Sequence, residues 1–268
     1  MPPYVFAPVD EAALQRALVA LSSPSLAIRL ASAVGLPIEG IIRRLPERMS
    51  DAITRAASQA IEKALETAVS SLQGWHAGGR SDMLHKFACG ATGGFGGFFG
   101  LAALVVELPL STTVMLRSIA DIARNEGEDI RSVDTRLACL EVFALGGRTS
   151  ADNTADAAYY AVRAALAAAV REASAFIAER GLGAGGAPAL ARLVAQIAAR
   201  FGATVSEKVA AQAVPVIGAL GGAAINVVFI DHFQNMARAH FTIRRLERRY
   251  GAEPVREALE EMVRSANL

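Results

Sequence analysis

The residues of this chain that could do chemistry are few and widely spaced. His85, His232 and His240, with Glu107, Asp121, Glu141 and Asp231, are the side chains from which an acid–base or metal site could be assembled. Imidazole and carboxylate are the groups that hold zinc-type ions and move protons near neutral pH. Within this set Glu107 closes one long uncharged segment, and Asp231 and His232 close another. If the two segments pack together, Glu107, Asp231 and His232 converge and form the candidate catalytic set. Against apolar helices their pKa values would be displaced. The competing reading is structural: no tight ligand spacing supports a metal, and these are also the residue types that fix helix register as buried polar groups. His232 and His240 lie eight residues apart and share a helix face approximately. No metal site or cofactor is expected.

Nucleotide and hydrolase signatures fail on context or are missing. GLGAGG at 181–186 matches G-x-G-x-x-G, but that motif needs a preceding strand, and here a helix precedes it. It reads as a helix terminator. There is no Walker A motif, no G-x-S-x-G and no H-E-x-x-H. Ser111, Thr112 and Thr113 follow Pro109 and suit the capping or back-bonding of a restarting helix better than nucleophilic work. Arg244, Arg245, Arg248 and Arg249 follow the second apolar segment. They suit the negative end of a helix, and they also suit anionic lipid headgroups at about 1 kcal/mol per residue near the surface.

These residues must be positioned by helices. Two glycine-rich apolar segments, 87–106 and 213–230, dominate the hydropathy pattern. Gly90 and Gly94, Gly93 and Gly97, and Gly96 and Gly100 are spaced by four residues in the first, as are Gly218 and Gly222 in the second. Four residues is about one turn, so such pairs clear a strip for close helix packing. Interior glycine costs roughly 1 kcal/mol relative to alanine, so a packed partner or lipid must offset it. A membrane span needs roughly 20 apolar residues; the first segment just reaches this, and the second is shorter and contains Asn226. A buried hairpin core, conditional insertion and a two-span protein all fit this pattern.

Elsewhere the pattern is helical throughout. Asp10 can cap a helix to about Leu21, and short pieces follow to Arg44. Pro46 opens a helix to about residue 73 with Met49, Ile53, Ala57, Ile61, Leu65 and Val69 on one face. Glu107 and Pro109 end the first apolar segment, and a new helix runs from about Leu110 to Asn125. Further helices are expected at about 134–145, 151–180, 188–213, 215–249 and 254–265, with 181–188 as the best linker. No run alternates with period two. The expected fold is all-α, a multi-helix bundle around a buried glycine-rich helical hairpin. It forms a single domain over 1–268, and the Ala-rich 151–200 region reads as an insertion.

Composition narrows the function classes. The 268 residues are 53% hydrophobic but only 6% aromatic, and the net charge is +1. Mean hydropathy is +0.33. There is no global field to recruit nucleic acid. Cys89 and Cys139 are too few for a disulfide framework and read as buried free thiols. The N-terminus shows no secretory signal pattern. The expected location is the cytoplasm, peripheral at the inner face of the cell membrane.

The stretch ATGGFGGFFGLAALVVELPLSTTVMLRSIADIA, followed by LACLEVFALGG, resembles the central signature of the EcsC protein family. PVIGALGGAAINVVFIDHFQNMARAHFTIRRLERRYG resembles its C-terminal signature. The resemblance covers about 81–147 and 205–256 and is weaker over 151–200. It implies a bacterial, membrane-linked protein, assigns no reaction, and places family-level constraint at Gly93, Gly94, Glu107, Pro109, Asn226 and His232. Three functions follow as expectations: association with an anionic membrane surface or a membrane protein, a metal-dependent or acid–base hydrolase using Glu107, Asp231 and His232, or a soluble helical scaffold.

Overall fold

A computed structural model describes residues 6–70, 100–147, 155–180, 187–213 and 219–266. Among the described residues there are ten helices and no strand: α1 Pro8–Leu21, α2 Leu26–Val34, α3 Glu39–Ile42, α4 Glu47–Ser70, α5 Gly100–Asn125, α6 Val133–Leu145, α7 Ala155–Arg180, α8 Pro188–Gln212, α9 Ala219–Tyr250 and α10 Ala252–Ala266. The all-α bundle is as the periodicity predicts. Of the glycines expected to pack the hairpin, Gly90, Gly93, Gly94, Gly97 and Gly218 lie outside the described residues. Gly100 opens α5, and Gly222 lies within α9.

The helix bounds follow local chemistry. Pro8 opens α1, where a missing N–H costs nothing. Asp10 is therefore not the cap that its position suggested; it lies inside the first turn with its side chain turned to α9. Ser25 caps α2, and Gly35 ends it at φ 73°, a conformation in which a Cβ is strained. α4 buries Ile53, Ala57, Ile61 and Leu65 as its period predicts, with Met49 and Val69 half-buried. Ala56, Ala60, Ala64 and Ala68 are also sealed. That run of small side chains lets α5 and α8 approach α4 closely.

Pro109 does not end a helix. α5 runs through it from Gly100 to Asn125. An interior proline costs about 3 kcal/mol, so tertiary packing must hold the helix together. Leu108 is fully buried, and α4 and α9 flank α5. The Ser111 and Thr113 hydroxyls donate back to the Leu108 and Pro109 carbonyls at 3.1 and 2.9 Å, the back-bonding expected of this cluster.

α6 is the centre. Every residue from Thr135 to Leu145 is buried, as befits a helix that is apolar almost all round. It is enclosed by α4, α5, α7, α8 and α9. Phe143 meets Phe201 of α8 and Phe233 of α9 at ring-centroid distances of 5.2 and 5.4 Å, and Phe229 completes the knot, 5.2 Å from Phe233. The Ala-rich region supplies α7 and α8, which share this core through Tyr159, Leu166, Ala173, Ile197 and Phe201.

The end of α6 fits because two glycines close it. A Cβ on Gly147 would stand 2.6 Å from the Arg200 carbonyl oxygen. Glycine is required there by close approach of backbone, not by an unusual φ.

Candidate functional site

The three residues proposed to converge are each taken up by a different partner. Glu107, on α5, accepts from the Lys208 ammonium of α8 at 2.8 Å. The Lys208 side chain is 1% exposed and the Glu107 side chain 39%. Lys208 also lies over the Phe229 ring at 4.9 Å, so a buried cation is balanced by one carboxylate and one π-face. Asp231 accepts from Arg29 of α2 and from Asn235 one turn along α9. His232 is buried, and its Nε2–H donates to the Gly146 carbonyl at 2.9 Å, tying α9 to the end of α6. Among the described residues no three His, Cys, Asp or Glu side chains are grouped to hold a metal ion. Asn226 is buried as expected, but its Oδ1 has no hydrogen-bond partner, so it is not fully satisfied.

The arginines expected at lipid headgroups are occupied within the chain. Arg245 and Arg249 each reach Asp10 of α1 at 2.8 Å, and the Tyr250 hydroxyl donates to the same carboxylate at 2.8 Å. Arg245 also binds Glu126. Arg244 spans Glu128 and Asp134, at 2.9 and 2.8 Å, and Arg248 joins Glu128. The physical reason is that α1, the turn between α5 and α6, and the first turn of α6 bring their carboxylates onto the C-terminal half of α9. The Arg245 hydrogen bond, working against burial, and the further pull of Tyr250 and Arg249 hold Asp10 below the usual carboxylate range. Burial acts to raise Glu128, but Arg244 and Arg248 outweigh it and lower it. None of these acids is close to the arginines in sequence, so the cluster resembled a free basic patch.

A second polar cluster lies inside the bundle, at the α6–α7–α9 junction. His240 is fully buried. Its Nδ1 is 3.0 Å from the Tyr159 hydroxyl, whose oxygen also accepts from Arg163 at 3.3 Å. Nε2 stands 3.9 Å from Glu141 Oε2, beyond a hydrogen bond, and has no partner. Arg163 grips Glu247 with two bonds of 2.7 and 3.0 Å. Burial pushes Glu141 up to about 7 and, with Arg163 and Arg244 nearby, pushes His240 well below its ordinary value. His240 and Glu141 were visible as chemistry-bearing residues. Tyr159 and Arg163 were not, because they sit in an alanine-rich helix that shows no motif.

Buried Arg136 was also missed. It donates to the Ile130, Arg131 and Val69 carbonyls at 2.8, 2.8 and 3.0 Å, sealing the turn before α6 and the end of α4.

Among the described residues no single helix is long and apolar enough to cross a bilayer. Among the described residues the exposed large apolar side chains are Val9, Val19, Ile28, Leu36, Leu110 and Val227. A family model described as the EcsC protein family matches residues 20–246. The chain belongs to the EcsC protein family. No curated protein and no solved structure matches it. The EcsC match takes in Glu107, Lys208, Asp231, His232 and the His240–Glu141 pair. Asp10, Arg249 and Tyr250, which join α1 to α9, fall outside it, as does Arg248.

Proposed function

We propose that this EcsC-family chain works at the cytosolic face of a membrane, by association with lipid or a membrane protein and not by a reaction of its own. The observation that supports this reading is the exposure of Leu110 on α5 and Val227 on α9, at 66% and 58%. A lone exposed aliphatic is ordinary. Here each belongs to a helix that begins in one of the uncharged segments. Val227 lies one turn before Asp231, whose partner Arg29 follows exposed Ile28, so Val227 and Ile28 flank one seam between α9 and α2. Burying an aliphatic side chain of this size is worth about 1.5–3 kcal/mol, so a few such contacts suffice for reversible attachment.

Cell fractionation tests the reading. The chain is expected to sediment with membranes and to be released by detergent. The double variant Leu110→Asp, Val227→Asp should move into the soluble fraction. Wild-type protein found wholly in the soluble fraction would overturn the proposal.

A further inference from the structure

We infer that the exposed side of the segment that carries α1, α2 and α3 is the part of the chain that meets anionic lipid, with Val19, Ile28 and Leu36 entering the interface and Arg16, Arg43 and Arg44 against headgroup phosphates. The inference rests on the membrane reading above and names its face.

Three independent features coincide there. The first is apolar exposure. Of the six large apolar side chains exposed among the described residues, Val9, Val19, Ile28 and Leu36 all fall between residues 9 and 36. On α1, Val9, Arg16 and Val19 are spaced by seven and three residues and share the outer face. That face is opposite the buried Leu14, Leu18 and Leu21. On α2, Ile28 points outward while Leu26 and Leu30 are sealed.

The second feature is charge. From residue 8 to residue 46 the exposed charged side chains are Arg16, Arg43 and Arg44 against Glu11 and Glu39, and the buried Asp10 is taken up by α9. Arg29 is paired with Asp231. Arg16, Arg43 and Arg44 are exposed, and among the described residues no carboxylate pairs with them. This is the reverse of Arg244, Arg245, Arg248 and Arg249 on α9, which are paired with carboxylates within the chain. Unpaired arginines beside exposed aliphatics are complementary to an anionic headgroup layer over hydrocarbon. Arginine stems also cover apolar surface while the guanidinium stays in water.

The third feature is shape. α1 and α2 together have the length and apolar composition of a span but are bent by 65° at their junction. A bent apolar pair docked along a protein body suits the plane of the interface better than a crossing.

Vesicle flotation with the full chain tests this. The wild type is expected to float with phosphatidylcholine vesicles that contain phosphatidylserine, more weakly with phosphatidylcholine alone, and less as salt is raised. Arg43→Gln with Arg44→Gln should weaken binding roughly thirty-fold, at about 1 kcal/mol for each cation near the surface. Ile28→Asp with Leu36→Asp should weaken it at least about tenfold. All four positions are exposed, so circular dichroism melting should match the wild type and exclude misfolding. If the wild type floats and neither double variant changes it, the face is wrong and the membrane reading stands. If the wild type sediments with native membranes but floats with no protein-free vesicle, its partner is a membrane protein, and the lipid face is overturned while the broader reading survives. If it does neither, both fall.

Discussion

Glu141 and His240 oppose each other across the α6–α9 contact, and neither gains by carrying charge. Burial raises the Glu141 carboxyl from 4.5 to about 7 and lowers His240 well below its ordinary value, so each group's neutral form is favoured over its charged one. The sign of each contribution follows. The folded chain binds the Glu141 proton more tightly than the unfolded chain, so this group's contribution to stability falls as pH rises from about 4.5 to about 7. His240 acts oppositely: its folded value is depressed, so its contribution is present above about 6.5 and is lost as pH falls below it, when the unfolded chain takes up the proton. Glu207, half-buried, is also raised to about 7 by burial and adds a slope of the same sign as Glu141. Comparing Glu141→Gln with the wild type isolates the first effect. Glutamine keeps the neutral shape and removes the ionisation. The variant should melt higher than the wild type at about pH 8 and nearly equal to it at about pH 5, with a gap of up to about 3 kcal/mol. Melting curves recorded across that range check this; parallel pH profiles for the two proteins would show that Glu141 ionises in the folded state as freely as in water.

The helices themselves were largely legible, because their cues are local. The 3.6-residue period of α4, proline at the start of α8 and glycine after α2 and α9 all act within a few residues of the boundary they set. Two elements departed from expectation, and both departures come from long-range packing. Pro109 is a local stop signal, yet α5 continues because Leu108 is sealed and α4 and α9 hold both flanks. The C-terminal half of α9 displays four arginines in sequence, but their acids come from positions 10, 126, 128 and 134, which only the fold brings near. The candidate site misled for the same reason. Glu107 could be found by its place at the end of an apolar run, whereas its partner Lys208 lies 101 residues away on a helix with no distinguishing pattern. Gly147 gives a test at this scale. Gly147→Ala would press a Cβ against the Arg200 carbonyl of α8, and backbone cannot yield as a side-chain tip does. A loss of about 1–3 kcal/mol is expected, read as a lower denaturant midpoint with unchanged slope. A variant as stable as the wild type would mean that the α6–α8 contact is looser than 2.6 Å implies.

At the scale of the whole molecule, the question is whether α7 and α8 are an appendage or part of the cooperative unit. The alanine-rich composition of 151–200 and the weaker family resemblance there suggested an insertion, and an insertion folded on itself would leave the rest of the bundle intact when damaged. The packing of α7 and α8 ties them to the shared core. Phe201 of α8 is fully buried, 5.2 Å from Phe143 of the central helix, 5.6 Å from Phe233 and 6.3 Å from Phe229. Tyr159 and Arg163 of α7 close the polar cluster around His240, and Lys208 of α8 neutralises Glu107 of α5. Both helices therefore supply parts that α5, α6 and α9 cannot replace. Phe201→Ala should destabilise the entire bundle by about 3–5 kcal/mol, the usual cost of emptying a sealed aromatic site. Hydrogen exchange distinguishes the two architectures. In a shared core, amides of α6 and α9 lose protection together with those of α8. In an appended unit, only α7 and α8 do, and the α6 and α9 amides keep wild-type protection.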